Sequence, residues 1–228
     1  MKRTIAVRRG TGASSRIDRY EVECGERTTL LDALELIRTG RVPDLAYRHS
    51  CHHGSCGTCA VRLDGREVLT CLTPLASIPG EAPLVEPLAG FEVVADAAVD
   101  PARLFRSIPE GAVHLRAAEP REAGGQPAET PPDAERRVRF EDCIECGCCV
   151  SACPITAADG EGSRFRGPAG LTAVRREGIN RPERADGMRS LAAAPDGFAA
   201  CERHLECSRV CPRAVYPAKH IELLRKGR

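Results

Sequence analysis

The residues with the most legible chemistry are cysteines. From Cys143 to Pro154 the chain reads C-I-E-C-G-C-C-V-S-A-C-P, so Cys143, Cys146, Cys149 and Cys153 fall on C-x2-C-x2-C-x3-C-P. Two intervening residues let the chain turn, so that successive thiolates converge on neighbouring corners of a cubane iron–sulfur cluster. The fourth cysteine, one residue further on, points away and ligates a different cluster where two are present. The proline after it prevents clean continuation of a helix. This stretch therefore predicts a second group of cysteines elsewhere.

Near the C-terminus the chain reads C-E-R-H-L-E-C-S-R-V-C-P, with Cys201, Cys207, Cys211 and Pro212. On the same template these cysteines take the first, third and fourth positions, and His204 stands at the second. Crossing the two fourth cysteines gives one cluster four thiolates, Cys143, Cys146, Cys149 and Cys211. The other receives three, Cys153, Cys201 and Cys207. A three-thiolate site suits a 3Fe–4S cluster, which lacks one iron corner. Structural zinc of similar spacing is the competing reading, but it prefers two spaced pairs per ion.

A third group lies upstream. Cys51, Cys56, Cys59 and Cys71 read C-x4-C-x2-C with a fourth cysteine further on, the plant-type 2Fe–2S spacing. Gly54 and Gly57 allow the backbone to bend around a cluster and aim N–H groups at its sulfurs. A zinc knuckle is the alternative, and the glycine-rich loop argues against it.

The flanking elements must carry these loops. Thr4–Arg8 and Tyr20–Cys24 alternate apolar and polar residues as half-buried strands do, with a turn over Gly10–Ser15. Thr29 and Asp32 form a capping-box start, Leu30, Leu31, Leu34 and Ile37 give one apolar face, and Gly40 ends the helix. Residues 62–69 form a hairpin around Asp64-Gly65 that returns Cys71 to the loop. Phe91–Val94 is expected to be the last strand, and Asp100–Ile108 a short helix. Residues 117–135, rich in Ala, Glu, Pro and Gly, have the composition of a mobile linker. Beyond it, helices are expected from Gly167 to Arg176, over 182–194 and over 217–226, with no strands. The fold class is α+β. A β-grasp plant-type 2Fe–2S ferredoxin domain (1–105) and a linker (106–138) precede an α-helical two-cluster ferredoxin domain (139–228).

Composition agrees. Thirteen cysteines, an odd number, fall in tight groups, and residues 1–10 lack the apolar run of a secretory leader, which argues against a disulfide framework. The formal net charge of +1 gives no sign of a nucleic-acid partner. No window approaches the length of a membrane span. A soluble protein of a reducing compartment is expected. Aromatic residues make up 4% of the chain and Trp is absent, so bound clusters would supply stability that packing does not.

With all three groups placed, the chain resembles the iron–sulfur subunit of succinate dehydrogenase and fumarate reductase over nearly its whole length. The residues that carry this are R-H-S-C-H-H-G-S-C-G-T-C at 48–59, Cys71, the run at 143–154, G-P-A-G-L at 167–171 and C-x5-C-x3-C-P at 201–212. The resemblance implies 2Fe–2S, 4Fe–4S and 3Fe–4S clusters in series. At one end it implies an FAD-containing flavoprotein subunit that interconverts succinate and fumarate. At the other it implies a membrane-anchor subunit with quinone, the chain lying peripherally on the cytoplasmic side of the membrane. The same wire serves other flavin dehydrogenases and thiol-dependent fumarate reductases. A zinc-stabilised binding protein is the reading from another class. Two departures concern the quinone end. Pro154 is followed by Ile155-Thr156-Ala157-Ala158 where many members carry aromatic residues, and Glu202 stands where many carry His.

Several residues remain open. His204 is a ligand to a fourth iron, a proton-bearing neighbour of quinone, or a side chain packed over the cluster and bonded to backbone. Pro154 is grouped with it as a neighbour of cluster or quinone. Cys148 is expected to be a buried thiol beside the cluster, and Cys24 a core residue. His52 and His53 are expected to flank the first cluster, partly solvated. The Arg136-Arg137 and Arg175-Arg176 pairs are read as solvated faces.

Overall fold

The computed structural model describes residues 2–112, 142–159 and 164–227. The segment 117–135 and the Arg136-Arg137 pair lie outside the described residues.

The N-terminal half is built on a five-stranded sheet. β1 (Lys2–Arg9) and β2 (Arg16–Glu23) form an antiparallel hairpin in register from Lys2↔Glu23 to Arg9↔Arg16. α1 (Leu30–Gly40) follows and packs on the sheet. Its start is the expected capping box: Asp32 N donates to Thr29 Oγ1 at 3.1 Å, and Thr29 N donates to Asp32 at 2.8 Å. Leu30, Leu31, Ala33, Leu34 and Ile37 are buried, as the apolar spacing requires. β3 (Ala60–Leu63) and β4 (Arg66–Leu69) make the predicted hairpin, turned by Asp64 and Gly65 at φ 48° and 81°.

The expected last strand is displaced. The strand that completes the sheet is β5 (Leu84–Glu86), inside the proline-rich segment, and the sheet order is β2-β1-β5-β3-β4. β5 pairs parallel with β1 and antiparallel with β3. Three residues suffice because β5 is flanked on both sides and Val85 is fully buried, so the prolines need only spare those few positions. Phe91–Val94 contributes instead to a small separate hairpin of β6 (Val93–Ala95) and β7 (Ala98–Val99). One apolar core fills the space between sheet and α1, with Ile5, Val7, Leu34 and Val85 among its members.

α2 (Ala102–Ser107) leads to Ala112, which is fully buried. Further on, the described residues are helical and contain no strand. They form α3 (Cys148–Ser151), α4 (Pro154–Asp159), α5 (Gly167–Asn180), α6 (Ala185–Ala193), α7 (Glu206–Arg209) and α8 (Pro217–Arg225). The start of the helix expected over 182–194 is a 3-10 turn, Pro182–Arg184, and Ile221 on α8 is buried as expected. Arg176 is also buried, its guanidinium donating to Ala112 O, so it is not on a solvated face. No helix among the described residues is long and apolar enough to cross a membrane.

Candidate metal centres

The loop between Cys51 and Cys59 is shaped by left-handed backbone at His52, Gly54 and Gly57, with φ of 61°, 76° and 69°. That conformation turns N–H groups inward. Ser55 N and Cys56 N each donate to Cys51 Sγ at 3.3 Å. The His53 N–H, ahead of these, draws the Cys51 thiol down to about 6. Cys59 enters β3, and Cys71 sits in the 3-10 turn that ends β4, so the hairpin brings their sulfurs to 3.4 Å. Burial pushes Cys71 up to about 11. His52 and His53 are exposed, and His49 Nδ1 meets His52 Nε2 at 3.2 Å. Cys24 is buried in the sheet core, as expected.

Among the helices, a cavity is lined by Cys143, Cys146, Cys149 and Cys211. Glu145 at φ 51° and Gly147 at φ 82° fold the first three cysteines around it. Cys211 comes from the other run, and Ala214 and Tyr216 at φ 52° and 58° bend the following loop so that Val215 N donates to Cys211 Sγ at 3.3 Å. A second cavity is lined by Cys153, Cys201 and Cys207, with Pro154, Glu202 and His204 also on its wall. His204 Nε2 lies 3.0 Å from Glu202 Oε2, and its side chain is 44% exposed, so its partner is a carboxylate rather than backbone. Cys148 is fully buried beside these sites.

Burial pushes Cys143 up to about 11 and Cys207 up to about 12. A cavity of buried thiols is an unfavourable place for several thiolates unless cations accompany them, and metal binding must expel the protons. The donor sets suit polynuclear iron: all sulfur, four at two sites and three at the third. Tetrahedral zinc at the three-sulfur site would need a fourth ligand such as His204, which pairs instead with Glu202 at the rim.

The two halves meet at these loops. Cys59, Cys71, Leu88, Phe91, Cys148 and Val150 share one apolar cluster, with Cys146 and Cys149 packed against it. A Cβ on Gly57 would lie 2.6 Å from Ile144 O and 2.8 Å from Cys146 Cα. So the first cysteine loop abuts a cysteine of the second site directly. The sequence marks Gly57 as a flexible loop residue, and nothing in it signals a contact so far along the chain. Glu67, buried behind α3, carries no sequence signal either.

Residues 4–106 match the family described as a 2Fe–2S iron–sulfur cluster binding domain, and residues 139–215 match the 4Fe–4S dicluster domain. The chain is 35% identical to the fumarate reductase iron–sulfur subunit of Mycobacterium tuberculosis (strain CDC 1551 / Oshkosh), covering 89% of this chain and 82% of that one. It belongs to the iron–sulfur subunits of fumarate reductase and succinate dehydrogenase. The succinate dehydrogenase iron–sulfur subunit of Paracoccus denitrificans is 34% identical over 92% of this chain and 81% of its own. A chain of the Mycobacterium smegmatis Sdh1 complex, solved in the apo form, superposes with a TM-score of 0.78 at 24% identity, over 99% of this chain and 95% of that chain. Members of this family are electron-transfer subunits of oxidoreductases, and this chain is one, with a 2Fe–2S domain followed by a 4Fe–4S domain.

Proposed function

We propose that the chain relays single electrons between the FAD of a succinate-oxidising or fumarate-reducing flavoprotein subunit and quinone at a membrane-anchor subunit. Cys51, Cys56, Cys59 and Cys71 hold a 2Fe–2S cluster. Cys143, Cys146, Cys149 and Cys211 hold a 4Fe–4S cluster, and Cys153, Cys201 and Cys207 a 3Fe–4S cluster. The clusters, when bound, supply one-electron redox chemistry between two-electron partners. The chain's residues fix the order of the sites, exclude water from them and set their charge environment. The first site belongs to residues 1–105 and the other two to 139–228, joined by 106–138. The assembly is peripheral, on the cytoplasmic side of the membrane.

The observation that carries this reading is the partition of the two cavities. Cys211 lines the first cavity and Cys153 the second, the exchange that a paired cubane template requires. His204 and Pro154 border the three-thiol cavity and are the residues proposed to face quinone.

An EPR-monitored redox titration of the anaerobically purified protein, with iron counted in parallel, tests the proposal. Three titrating centres are expected, one with the oxidised-state signal of a three-iron cluster. Two four-iron centres beside the 2Fe–2S centre would instead make His204 a fourth ligand. A colourless zinc protein would end the relay reading.

A further inference from the structure

Glu67 is a buried acid that the relay leaves without a role. It lies on β4, 6% exposed, and its Oε1 accepts a hydrogen bond from Ser151 Oγ at 2.7 Å. Ser151 is itself 3% exposed, and its Oγ accepts from Ala89 N at 2.8 Å. Ser151 closes α3, the helix that carries Cys149 towards the four-thiol cavity and leads into Cys153. The neighbouring apolar cluster holds Leu69, Leu88, Cys148 and Val150, all buried.

Two of the arginines around Glu67 have other partners. Arg62 stands opposite it in the β3–β4 register but reaches Glu86 Oε2 at 3.8 Å. Arg209, which lines the same groove, pairs with Glu206. Its neighbour Arg66 lines that groove as well and is exposed to solvent. On the α3 side the buried carboxylate lies against packed apolar side chains, where a charge acts at longer range than in water. Cys146 and Cys149 pack against that same apolar cluster.

We propose that Glu67 is a tuning residue that holds the reduction potential of the four-thiol centre low, by placing a negative charge behind α3 where an added electron is repelled. This rests on the assignment of a 4Fe–4S cluster to Cys143, Cys146, Cys149 and Cys211. The electron that enters the centre on reduction adds one negative charge beside a fixed one, and no proton or further reactant is involved. Ser151 orients the carboxylate, and its hydrogen bond ties the potential of this centre to the contact between β4 and α3.

The test is an anaerobic EPR-monitored titration of the cluster-loaded full chain in its complex, for wild type, Glu67→Gln and Glu67→Asp. Gln keeps the shape and can still bond Ser151, but carries no charge. The midpoint of the four-iron centre is expected to move to more positive potential in Glu67→Gln, with smaller shifts at the other two centres, and to stay near wild type in Glu67→Asp. An unmoved midpoint in a loaded Glu67→Gln protein, or an equal shift at all three centres, would overturn the inference. If Glu67→Gln does not load iron, Ser151→Ala keeps the charge and removes its hydrogen bond. Its four-iron midpoint must then lie at or below the wild-type value, and a rise would overturn the inference. A wild-type protein with no four-iron centre overturns the relay as well. Three loaded wild-type centres with an insensitive Glu67→Gln variant overturn this inference alone.

Discussion

At the loop 51–59, sulfur meets backbone. Cys51 is drawn down to about 6 by N–H groups that belong to the next few residues, and the loop is complete within one short stretch apart from Cys71. In the helical half, sulfur meets mostly buried wall, with Val215 N donating to Cys211. Cys143 and Cys207 are pushed up to about 11 and about 12, and each cavity draws cysteines from two segments far apart in the sequence. The first site is close to preformed by local turns, and Cys51 has donors waiting, while Cys71 shares the buried setting of the other sites. The other two exist only once the chain has closed on itself, and bound cations would offset the penalty of gathering buried thiolates. The N-terminal half has its own sheet and core beside its site. In the helical half, the third apolar cluster takes in Cys153 and Cys201, so sites and core are one body.

The largest effect should come from cutting that closure. Cys211→Ser is expected to abolish the four-iron centre, destabilise the helical half and leave the 2Fe–2S signal in place. Cys51→Ser is expected to remove or alter only the 2Fe–2S centre. Iron per chain and the EPR spectra of the two variants check this. Retention of a four-iron centre in Cys211→Ser would erase the contrast between the halves.

The N-terminal half should instead be vulnerable at a buried ion pair. Arg9 Nε lies 2.9 Å from Asp96 Oδ2, with side chains 4% and 6% exposed. Asp96 also accepts from Gly10 N at 2.7 Å and Ala46 N at 2.8 Å, tying the end of β1 to the segment that leads into the cysteine loop. Asp96→Ala takes the buried partner from this guanidinium but leaves it Asp44 Oδ2 and the Tyr20 hydroxyl, each at 2.9 Å, so the expected cost is at most about 3 kcal/mol, the low end for a broken buried pair. Denaturant unfolding followed at the 2Fe–2S absorbance measures it. A loss below about 1 kcal/mol would mean that the apolar core alone holds this half.

Its counterpart in the helical half is pH-dependent. Burial, then the Arg175 guanidinium at 3.2 Å, draws His220 down to about 4, against a weaker opposing contact with the Val215 backbone. The unfolded chain takes up this proton near pH 6.5 and the folded one only near 4. The stability tied to neutral His220 is thus complete above about 6.5 and lost as pH falls towards 4, by about 3 kcal/mol at most. Thermal unfolding of the helical half between about pH 7 and pH 4.5 should show the loss, and His220→Gln should flatten it.

The grouping of the cysteines was legible because cysteine spacing is a one-dimensional record of a three-dimensional constraint. The crossing of Cys153 and Cys211, the Thr29–Asp32 cap and the Asp64-Gly65 hairpin all follow from residues close in sequence or from a rigid template. β5 was not legible. Its three residues lie among prolines and have no periodicity of their own; β1 and β3 define it from either side. Glu67 and Arg176 look like surface charges in the sequence, and packing between distant elements buries them. His204 has the opposite history. Its template position suggests a ligand, yet it pairs at the rim with Glu202, the residue that departs from the family pattern.

The most direct test of how the halves communicate is at Gly57. An alanine there meets a left-handed φ of 69° and would set Cβ 2.6 Å from Ile144 O and 2.8 Å from Cys146 Cβ. The backbone strain alone is about 1–3 kcal/mol, and the clash must push the two cysteine loops apart. Gly54→Ala is the control. It has the same handedness at φ 76°, but its Cβ would face Leu72 Cδ1 at 2.6 Å, the end of a flexible side chain. Both variants carry the left-handed strain, and Gly57→Ala should lose more stability because its clash is with backbone. Only Gly57→Ala should weaken the magnetic interaction between the first two centres and slow electron exchange between them several-fold, read by relaxation of the 2Fe–2S EPR signal and by flash reduction. Equal rates in the two variants would move the crossing point away from Gly57, to the packed side chains of Leu88 and Phe91 that line the rest of the seam.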